Sequence, residues 1–221
     1  MIRNPTFDRA VGKVWHGIAS KFRAGRKKRF LAIFPPEEFR SVIDVGGLPA
    51  HWKGDDRNIT VLNLMPQTSS TCKVVVGDGR HTGYPDQSFD LAYSNSVIEH
   101  VGKWQDQVAF ASELRRIGKA VYCQTPNRWF PIEVHYFTFF LHWRSKLLRN
   151  YFVARFLTGW GLLARPDRKE VQDFAGSIEL LSYSAMQTLF PDCEIHRERC
   201  LGLTKSLIAI RKPAQVKQYP E

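Results

Sequence analysis

The chain has 221 residues, of which 43% are hydrophobic and 24% are charged, and these proportions indicate a soluble globular protein with a sizeable core. Its longest apolar stretch, around residues 134–143, is too short to span a bilayer, and the amino terminus lacks the apolar segment of a secretory signal. The four cysteines form no C-x-x-C pair, which favours buried free thiols in a reducing cytosol.

The net charge of +11 is concentrated in two segments. Residues 1–30 hold nine Lys/Arg and one acid, and residues 128–170 hold eight Lys/Arg and three acids, so the remainder is slightly acidic. In the first segment, apolar residues recur at helical spacing (Val11, Val14, Trp15, Ile18 and Phe22). Residues 1–40 are therefore predicted to be a basic helical segment. It either packs across a binding site with its basic face in solvent or attracts an anionic surface or substrate.

The first predicted strand lies in Ser41–Gly47, where an apolar run ends in Asp44 and a glycine pair. Ligands of open α/β sheets bind at the carboxyl ends of the strands, and Gly46 allows a sharp turn and a close backbone approach. A dinucleotide site would need further glycines at positions that hold Leu48 and His51. A phosphate cradle is therefore not expected here.

Two more predicted strands, 59–64 and 74–76, have polar residues near their carboxyl ends, Asn63 within the first and Asp78 shortly after the second. Asn63 follows Asp44 by 19 residues, a spacing typical of a residue that binds a ribose diol. The alternative is that Asn63 caps its own turn. After the third strand, Asp78 and Gly79 stand in a Gly-Asp-Gly turn, which either binds a ligand or is a simple Asx turn.

A fourth strand is predicted to start at Asp90 and to end at Asn95 and Ser96, directly before Glu99 and His100. In order and spacing, these four stretches resemble the motifs of class I S-adenosylmethionine-dependent methyltransferases. The resemblance covers about residues 41–127. Thr125–Glu133 is in addition similar to the bacterial small-molecule members of the type 11 group.

The resemblance implies a three-layer α/β/α sandwich around a Rossmann-like, seven-stranded, mostly parallel sheet, in which a reversed last strand forms an antiparallel edge. It also implies S-adenosylmethionine as the cofactor, with Asp78 as the acceptor for the adenine amino group. The expected cofactor-binding residues are Asp44, Gly46, Gly47, Asn63, Asp78, Gly79, Asn95 and Ser96. The chain departs from the family at Leu48 and Ala50, where glycines are usual, and at Asn63, where an acid is usual.

One methyltransferase domain is expected over residues 1–221. After the segment 1–40, it would comprise a cofactor-binding half (41–127), an insertion (128–175) and a final helix with a hairpin (176–212). Five αβ units are expected before the insertion. The closing helix is predicted at 184–190 and the two hairpin strands at 193–200 and 206–211.

The insertion is rich in aromatic residues, and basic residues alternate with them. The aromatic residues include Trp129, Tyr136, Phe152 and Phe156, and the basic residues include Arg144 and Arg155. Its expected role is a lid over a small or lipid-linked acceptor that carries an anionic group. The alternative is a helical pair that only completes the hydrophobic core.

In methyl transfer the protein mainly aligns and desolvates the reactants, although an oxygen nucleophile can also need a base. His100 is the first candidate base and His135 the second. No metal is expected, because Ser96 stands where some quinone O-methyltransferases have an additional acid.

We therefore expect O-methylation of a small or lipid-linked molecule by a cytoplasmic protein that contacts the anionic inner membrane face peripherally. The alternatives are an RNA methyltransferase and a non-catalytic adaptor with a methyltransferase fold. A nucleic acid partner is not expected, because the base-stacking motif of base-modifying methyltransferases is absent.

Overall fold

The computed structural model describes residues 24–133, 138–140 and 150–213. The chain divides into two compact units, one within residues 1–38 and 128–178 and the other within 39–127 and 179–221. The apolar positions of the predicted first helix, from Val11 to Phe22, and the candidate base His135 lie outside the described residues.

The second unit contains a seven-stranded sheet, which confirms the predicted fold class. Its strands run in the order β3-β2-β1-β4-β5-β9-β8. The first unit holds the separate strand pair β6–β7. The strand bounds are β1 (Ser41–Val45), β2 (Asn58–Asn63), β3 (Lys73–Val76), β4 (Phe89–Asn95), β5 (Gly118–Pro126), β6 (Ile132–Glu133), β7 (Thr138–Phe139), β8 (Glu194–Cys200) and β9 (Leu203–Arg211).

The reversed last strand is present, but it is not an edge. Strand β9 pairs antiparallel with β5 on one side and with β8 on the other, so β8 and β3 form the two edges. The expectation of an antiparallel edge was therefore wrong in this detail. The tight turn after Cys200 fixes β8 and β9 as a hairpin, but it leaves open which of the two strands pairs with β5.

Within residues 24–133 and 150–213 the α-helices are α1 (described over 24–33), α2 (Trp104–Ile117), α3 (Tyr151–Leu157), α4 (Gly159–Ala164), α5 (Arg168–Gly176) and α6 (Tyr183–Leu189). The expected five αβ units are not all present. A 3₁₀ turn over Pro49–Trp52 connects β1 to β2, and irregular segments connect β2 to β3 and β3 to β4. These links are short and rich in Pro, Gly and Ser, so they lack the length and apolar period of a packed helix.

Helices α2 and α6 cover one face of the sheet. Phe110, Leu114 and Ile117 of α2 share one apolar cluster with Ile43 and Val45 of the sheet. These α2 residues recur at helical spacing and are almost completely buried. This packing leaves the carboxyl ends of β1 to β5 at a common edge, because the five strands are parallel.

The first unit contains three described consecutive helices in the region predicted to be a lid. Asn150, Thr158 and Asp167 cap α3, α4 and α5 with their side chains. A side chain at Gly161 would place its Cβ 1.8 Å from the Ala154 carbonyl oxygen, so the close approach of α3 and α4 requires glycine there.

Candidate cofactor site

The acid at the end of β1 is fully buried. Trp52 Nε1 donates a hydrogen bond to Asp44 Oδ2 at 2.7 Å, whereas Asp44 Oδ1 has no hydrogen-bond partner within the described ranges. Burial raises the pKa of the Asp44 carboxyl to about 7, and the hydrogen bond from Trp52 opposes part of that rise. A buried polar atom without a partner is costly in a folded protein, so this oxygen is suited to receive a donor from a ligand.

The two glycines of the turn after β1 each lie in close contact with another residue, Gly46 with Val97 and Gly47 with this carboxyl. Gly46 has φ +83°, and a Cβ there would lie 2.5 Å from Val97 Cγ1. A Cβ on Gly47 would lie 1.8 Å from Asp44 Oδ2. Both glycines are therefore required by contacts within the protein, which a sequence argument about close approach to a ligand did not anticipate.

Asn63 at the end of β2 ties this turn to its own strand. Its Nδ2 donates to the carbonyl oxygens of Gly47 at 3.0 Å and Gly46 at 3.3 Å. Its Oδ1 accepts from Met65 N at 3.2 Å, so the self-capping turn considered from the sequence is formed. Oδ1 retains a second lone pair that a ribose hydroxyl could use.

Asp78 follows β3 and forms an ion pair with Arg80. Arg80 Nη2 donates to Asp78 Oδ2 at 2.6 Å, and the Arg80 backbone N–H donates to Oδ1 at 2.9 Å. Arg80 also pairs with Asp106 in the first turn of α2. Hydrogen bonds from Arg80 lower the pKa of the Asp78 carboxyl, which keeps it ionised as an acceptor. Sequence reasoning missed Arg80, although it stands two residues after Asp78.

Gly79 faces the core at this position. A Cβ on it would lie 2.5 Å from Val45 Cγ1 and 2.6 Å from Phe110 Cε2. The absence of a side chain at Gly79 thus lets the loop after β3 pass close to Val45 of β1 and Phe110 of α2. This contact places Asp78 at the same edge of the sheet as Asp44.

The end of β4 is fixed by bonds to its neighbours. Ser94 Oγ donates to the Val45 carbonyl oxygen at 3.0 Å. The Ser96 backbone N–H donates to the Gln124 carbonyl oxygen, and Ser96 Oγ donates to Gln124 Oε1, both at 2.9 Å. Asn95 is the last residue of β4, and Ser96 has a left-handed φ of +55°. The chain therefore turns sharply at this point.

His100 closes a 3₁₀ turn, Ile98–His100, directly after that point and is half-buried. Its neighbour Glu99 is fully buried, and Thr125 Oγ1 donates to Glu99 Oε2 at 2.9 Å. Glu99 was not singled out from the sequence, because its burial depends on the pairing of β4 with β5.

The structure thus brings all eight predicted cofactor residues to one edge of the sheet, at or beside the carboxyl ends of β1 to β4. Among the residues that the structure describes, no group of three or more His, Cys, Asp or Glu is arranged to hold a metal ion. None of the helices in those ranges is long and apolar enough to cross a membrane.

Part of the chain resembles a known protein family in sequence. Residues 51–120 match the model of a methyltransferase domain family. The matched range contains Asn63, Asp78 and the β4 motif, and it begins after the glycine turn at which the chain departs from the family pattern. No curated protein has significant sequence similarity to the chain.

Solved structures with the same fold cover most of the chain. A SAM-dependent methyltransferase from Anabaena variabilis is 15% identical, with a TM-score of 0.53 over 95% of this chain and 86% of that one. A protein from Pyrococcus horikoshii is 12% identical, with a TM-score of 0.53 over 88% and 91%. The N-methyltransferase NodS from Bradyrhizobium japonicum is 12% identical, with a TM-score of 0.52 over 88% and 98%.

Residues 51–120 therefore match a methyltransferase domain family, and the sheet that contains them has a Rossmann-like topology. S-adenosylmethionine is the cofactor that this family match implies. The residues fit this molecule, because the second oxygen of the buried Asp44 carboxyl has no hydrogen-bond partner among the described residues and the polar groups at the ends of β2, β3 and β4 lie along the same edge. When bound, the cofactor supplies an activated sulfonium methyl group.

Proposed function

We propose that this methyltransferase-fold protein transfers a methyl group to an oxygen atom of a small or lipid-linked acceptor. The observation that carries the proposal is the buried Asp44 carboxyl, of which one oxygen lacks a partner among the described residues beneath the Gly46–Gly47 turn. Asp44 and Gly46 would hold the methionine end of the cofactor, Asn63 the ribose, and Asp78 the adenine amino group.

His100 is the proposed base within the described residues. It lies in the turn that follows Ser96, at the edge where the cofactor residues converge. A half-buried imidazole can accept the proton of a hydroxyl group as the oxygen attacks the methyl carbon. The second candidate, His135, belongs to the insertion.

We further propose that the aromatic and basic insertion binds the acceptor. The insertion region contains the three helices α3, α4 and α5, and Trp160 of α4 stacks on Phe174 of α5 with ring centroids 4.5 Å apart. Aromatic surface favours the apolar part of an acceptor, and arginines favour an anionic group. The cytoplasm, with peripheral contact at the inner membrane face, is the location that this proposal implies.

A non-catalytic adaptor is the second candidate, and two contacts favour it. The Asn63 amide already donates to Gly46 and Gly47, and the Asp78 carboxylate is already paired with Arg80. If these bonds persist, the ribose and adenine subsites are occupied by the protein itself.

Titration with S-adenosylhomocysteine in a calorimeter separates the two candidates. A saturable heat of binding supports the enzyme, and no binding supports the adaptor. For the enzyme, labelled S-adenosylmethionine is then incubated with a metabolite and lipid extract, and the labelled products are identified by mass. In this assay His100→Ala should lower turnover on the order of 100-fold with unchanged cofactor affinity. Turnover within a few-fold of the parent protein would rule His100 out as the base.

A further inference from the structure

Helix α3 presents its large apolar side chains to solvent. Phe152 and Phe156 lie one turn apart and are 60% and 51% exposed, and Leu157 at the end of the helix is 66% exposed. Ala154, on the opposite side of the helix, is fully buried. The helix thus packs through a small residue and exposes large apolar ones. A surface helix ordinarily buries its large apolar side chains against the core.

The two phenylalanines are combined with arginines. Their rings stack with centroids 6.4 Å apart. The Arg155 guanidinium carbon lies 4.8 Å from the Phe156 ring centroid, and that of Arg168 lies 5.9 Å from the Phe152 centroid. Such cation–π contacts hold positive charge beside exposed apolar surface without the need for an acidic partner.

The surrounding charge is positive. Residues 150–170 contain four basic residues (Arg155, Arg165, Arg168 and Lys169) and two acids. Both acids, Asp167 and Glu170, form the capping box of α5, where each carboxylate accepts a hydrogen bond from the backbone N–H of the other residue. They are therefore bound to the amino-terminal end of a helix, whose dipole offsets part of their charge.

We propose that one surface, formed by Phe152, Arg155, Phe156 and Leu157 of α3 together with Arg168 of α5, docks on the interface of an anionic lipid bilayer. The apolar side chains enter the boundary between head groups and acyl chains, and the guanidinium groups meet lipid phosphates. This inference rests on the peripheral membrane contact of the proposed function and names the residues that make it. Vesicle binding is measured without a methyl acceptor, so its failure would leave the proposed methyl transfer untouched.

A lipid surface fits this face better than RNA does. Single-stranded nucleic acids bind aromatic platforms by stacking a base on an open ring face. Here Phe152 and Phe156 stack on each other, and each has a guanidinium over its ring. Leu157 offers no face for stacking. Insertion into a lipid interface requires only apolar surface with adjacent positive charge, and both are present.

The test is sedimentation of the whole protein with vesicles of phosphatidylcholine alone and with vesicles of equimolar phosphatidylcholine and phosphatidylglycerol. We expect binding to the anionic vesicles only, and this binding should weaken as salt is added. Phe152→Ser with Phe156→Ser, and separately Arg168→Glu with Lys169→Glu, should each reduce vesicle partitioning about tenfold or more. Leu157→Asn is a milder third variant that should also reduce it.

Matched controls come from the other unit. Leu201→Ser with Leu203→Ser removes two leucines that are 98% and 52% exposed, and Lys53→Glu with Lys73→Glu reverses two exposed lysines. Both controls should bind vesicles like the parent protein. Circular dichroism and S-adenosylhomocysteine titration confirm that each variant is folded, and they report on the cofactor site independently of the lipid result.

Three results would overturn the proposal. The first is an equal loss of vesicle binding in the control variants and in the variants of Phe152, Phe156, Arg168 and Lys169. The second is a labelled single-stranded RNA whose affinity falls with Phe152→Ser and Phe156→Ser while vesicle binding is unchanged. The third is light scattering that detects a dimer of the parent protein and a monomer of those variants, which would assign the face to a second copy of the chain.

Discussion

Trp52 Nε1 donates a 2.7 Å hydrogen bond to Asp44 Oδ2, and the same indole packs edge-on against Tyr93, with ring centroids 5.2 Å apart. Trp52 belongs to the 3₁₀ turn that connects β1 to β2, and Tyr93 is the register partner of Asp44 on β4. A single side chain from a short link thus covers the acid at the end of β1 and packs on the adjacent strand.

The first prediction follows from the buried Asp44 carboxyl. Its pKa in the folded protein, about 7, exceeds the ordinary value of 3.8, so the folded state holds the proton more tightly than the unfolded state. The free energy of unfolding from this group is therefore highest at low pH, falls as pH rises from about 4 to 7, and is lost above 7. A pKa shift of this size changes the contribution of Asp44 to the free energy of unfolding by about 4 kcal/mol at most.

Asp44→Asn keeps an acceptor for Trp52 and cannot ionise. We expect its thermal midpoint to equal or fall below that of the parent protein at pH 5 and to exceed it at pH 8. Differential scanning fluorimetry at both pH values measures this crossing. A difference between the two proteins that is the same at pH 5 and pH 8 would contradict the raised pKa. Trp52→Phe serves as a control that should destabilise the protein at both pH values.

The second prediction concerns the amide of Asn63. Asn63→Asp replaces a donor to the Gly46 and Gly47 carbonyl oxygens with a carboxylate, which repels them. We expect a loss of stability of about 1–3 kcal/mol by urea unfolding, because two buried or half-buried acceptors lose their donor. Asn63→Gln, which keeps the amide on a longer side chain, should lose less. Equal stability of Asn63→Asp and the parent protein would mean that these bonds are not formed in solution.

The third prediction separates the two roles of Asp78. Asp78→Ala should weaken S-adenosylhomocysteine binding by about 1–3 kcal/mol, since the adenine amino group loses its acceptor. Arg80→Met removes the ion pair but keeps the backbone N–H that donates to Asp78 Oδ1. The affinity of this variant for S-adenosylhomocysteine should therefore stay close to that of the parent protein. Exposed pairs of this kind contribute little. Equal losses in both calorimetric titrations would assign the effect to the ion pair instead.

The fourth prediction tests why position 46 is glycine. Gly46→Ala should lower stability both through its φ of +83° and through the contact of the new Cβ with Val97, 2.5 Å away. Adding Val97→Ala relieves the contact with the new Cβ but not the backbone strain. The double variant should therefore lose less stability than the sum of the losses in the two single variants. Strictly additive melting data would show that Val97 is not in contact with residue 46.

The sequence alone determined the strand pattern and the positions of the polar strand ends. Asp44, Asn63, Asp78 and Asn95 each follow an apolar run, and the carboxyl ends of parallel strands share one edge. The closing helix and the hairpin were also predicted within a few residues, because their apolar periods are local.

Only the tertiary structure decided what these residues contact. Asp44 Oδ1 lacks a hydrogen-bond partner among the described residues because β1 is buried between β2 and β4. The position of Trp52 depends on how the link between β1 and β2, which has a 3₁₀ turn and no α-helix, folds back over β1. The pairing of β9 between β5 and β8 is likewise non-local. Hydrogen-bond partners and burial depend on residues far apart in the chain, which local spacing does not specify, whereas strands and turns depend mainly on neighbours.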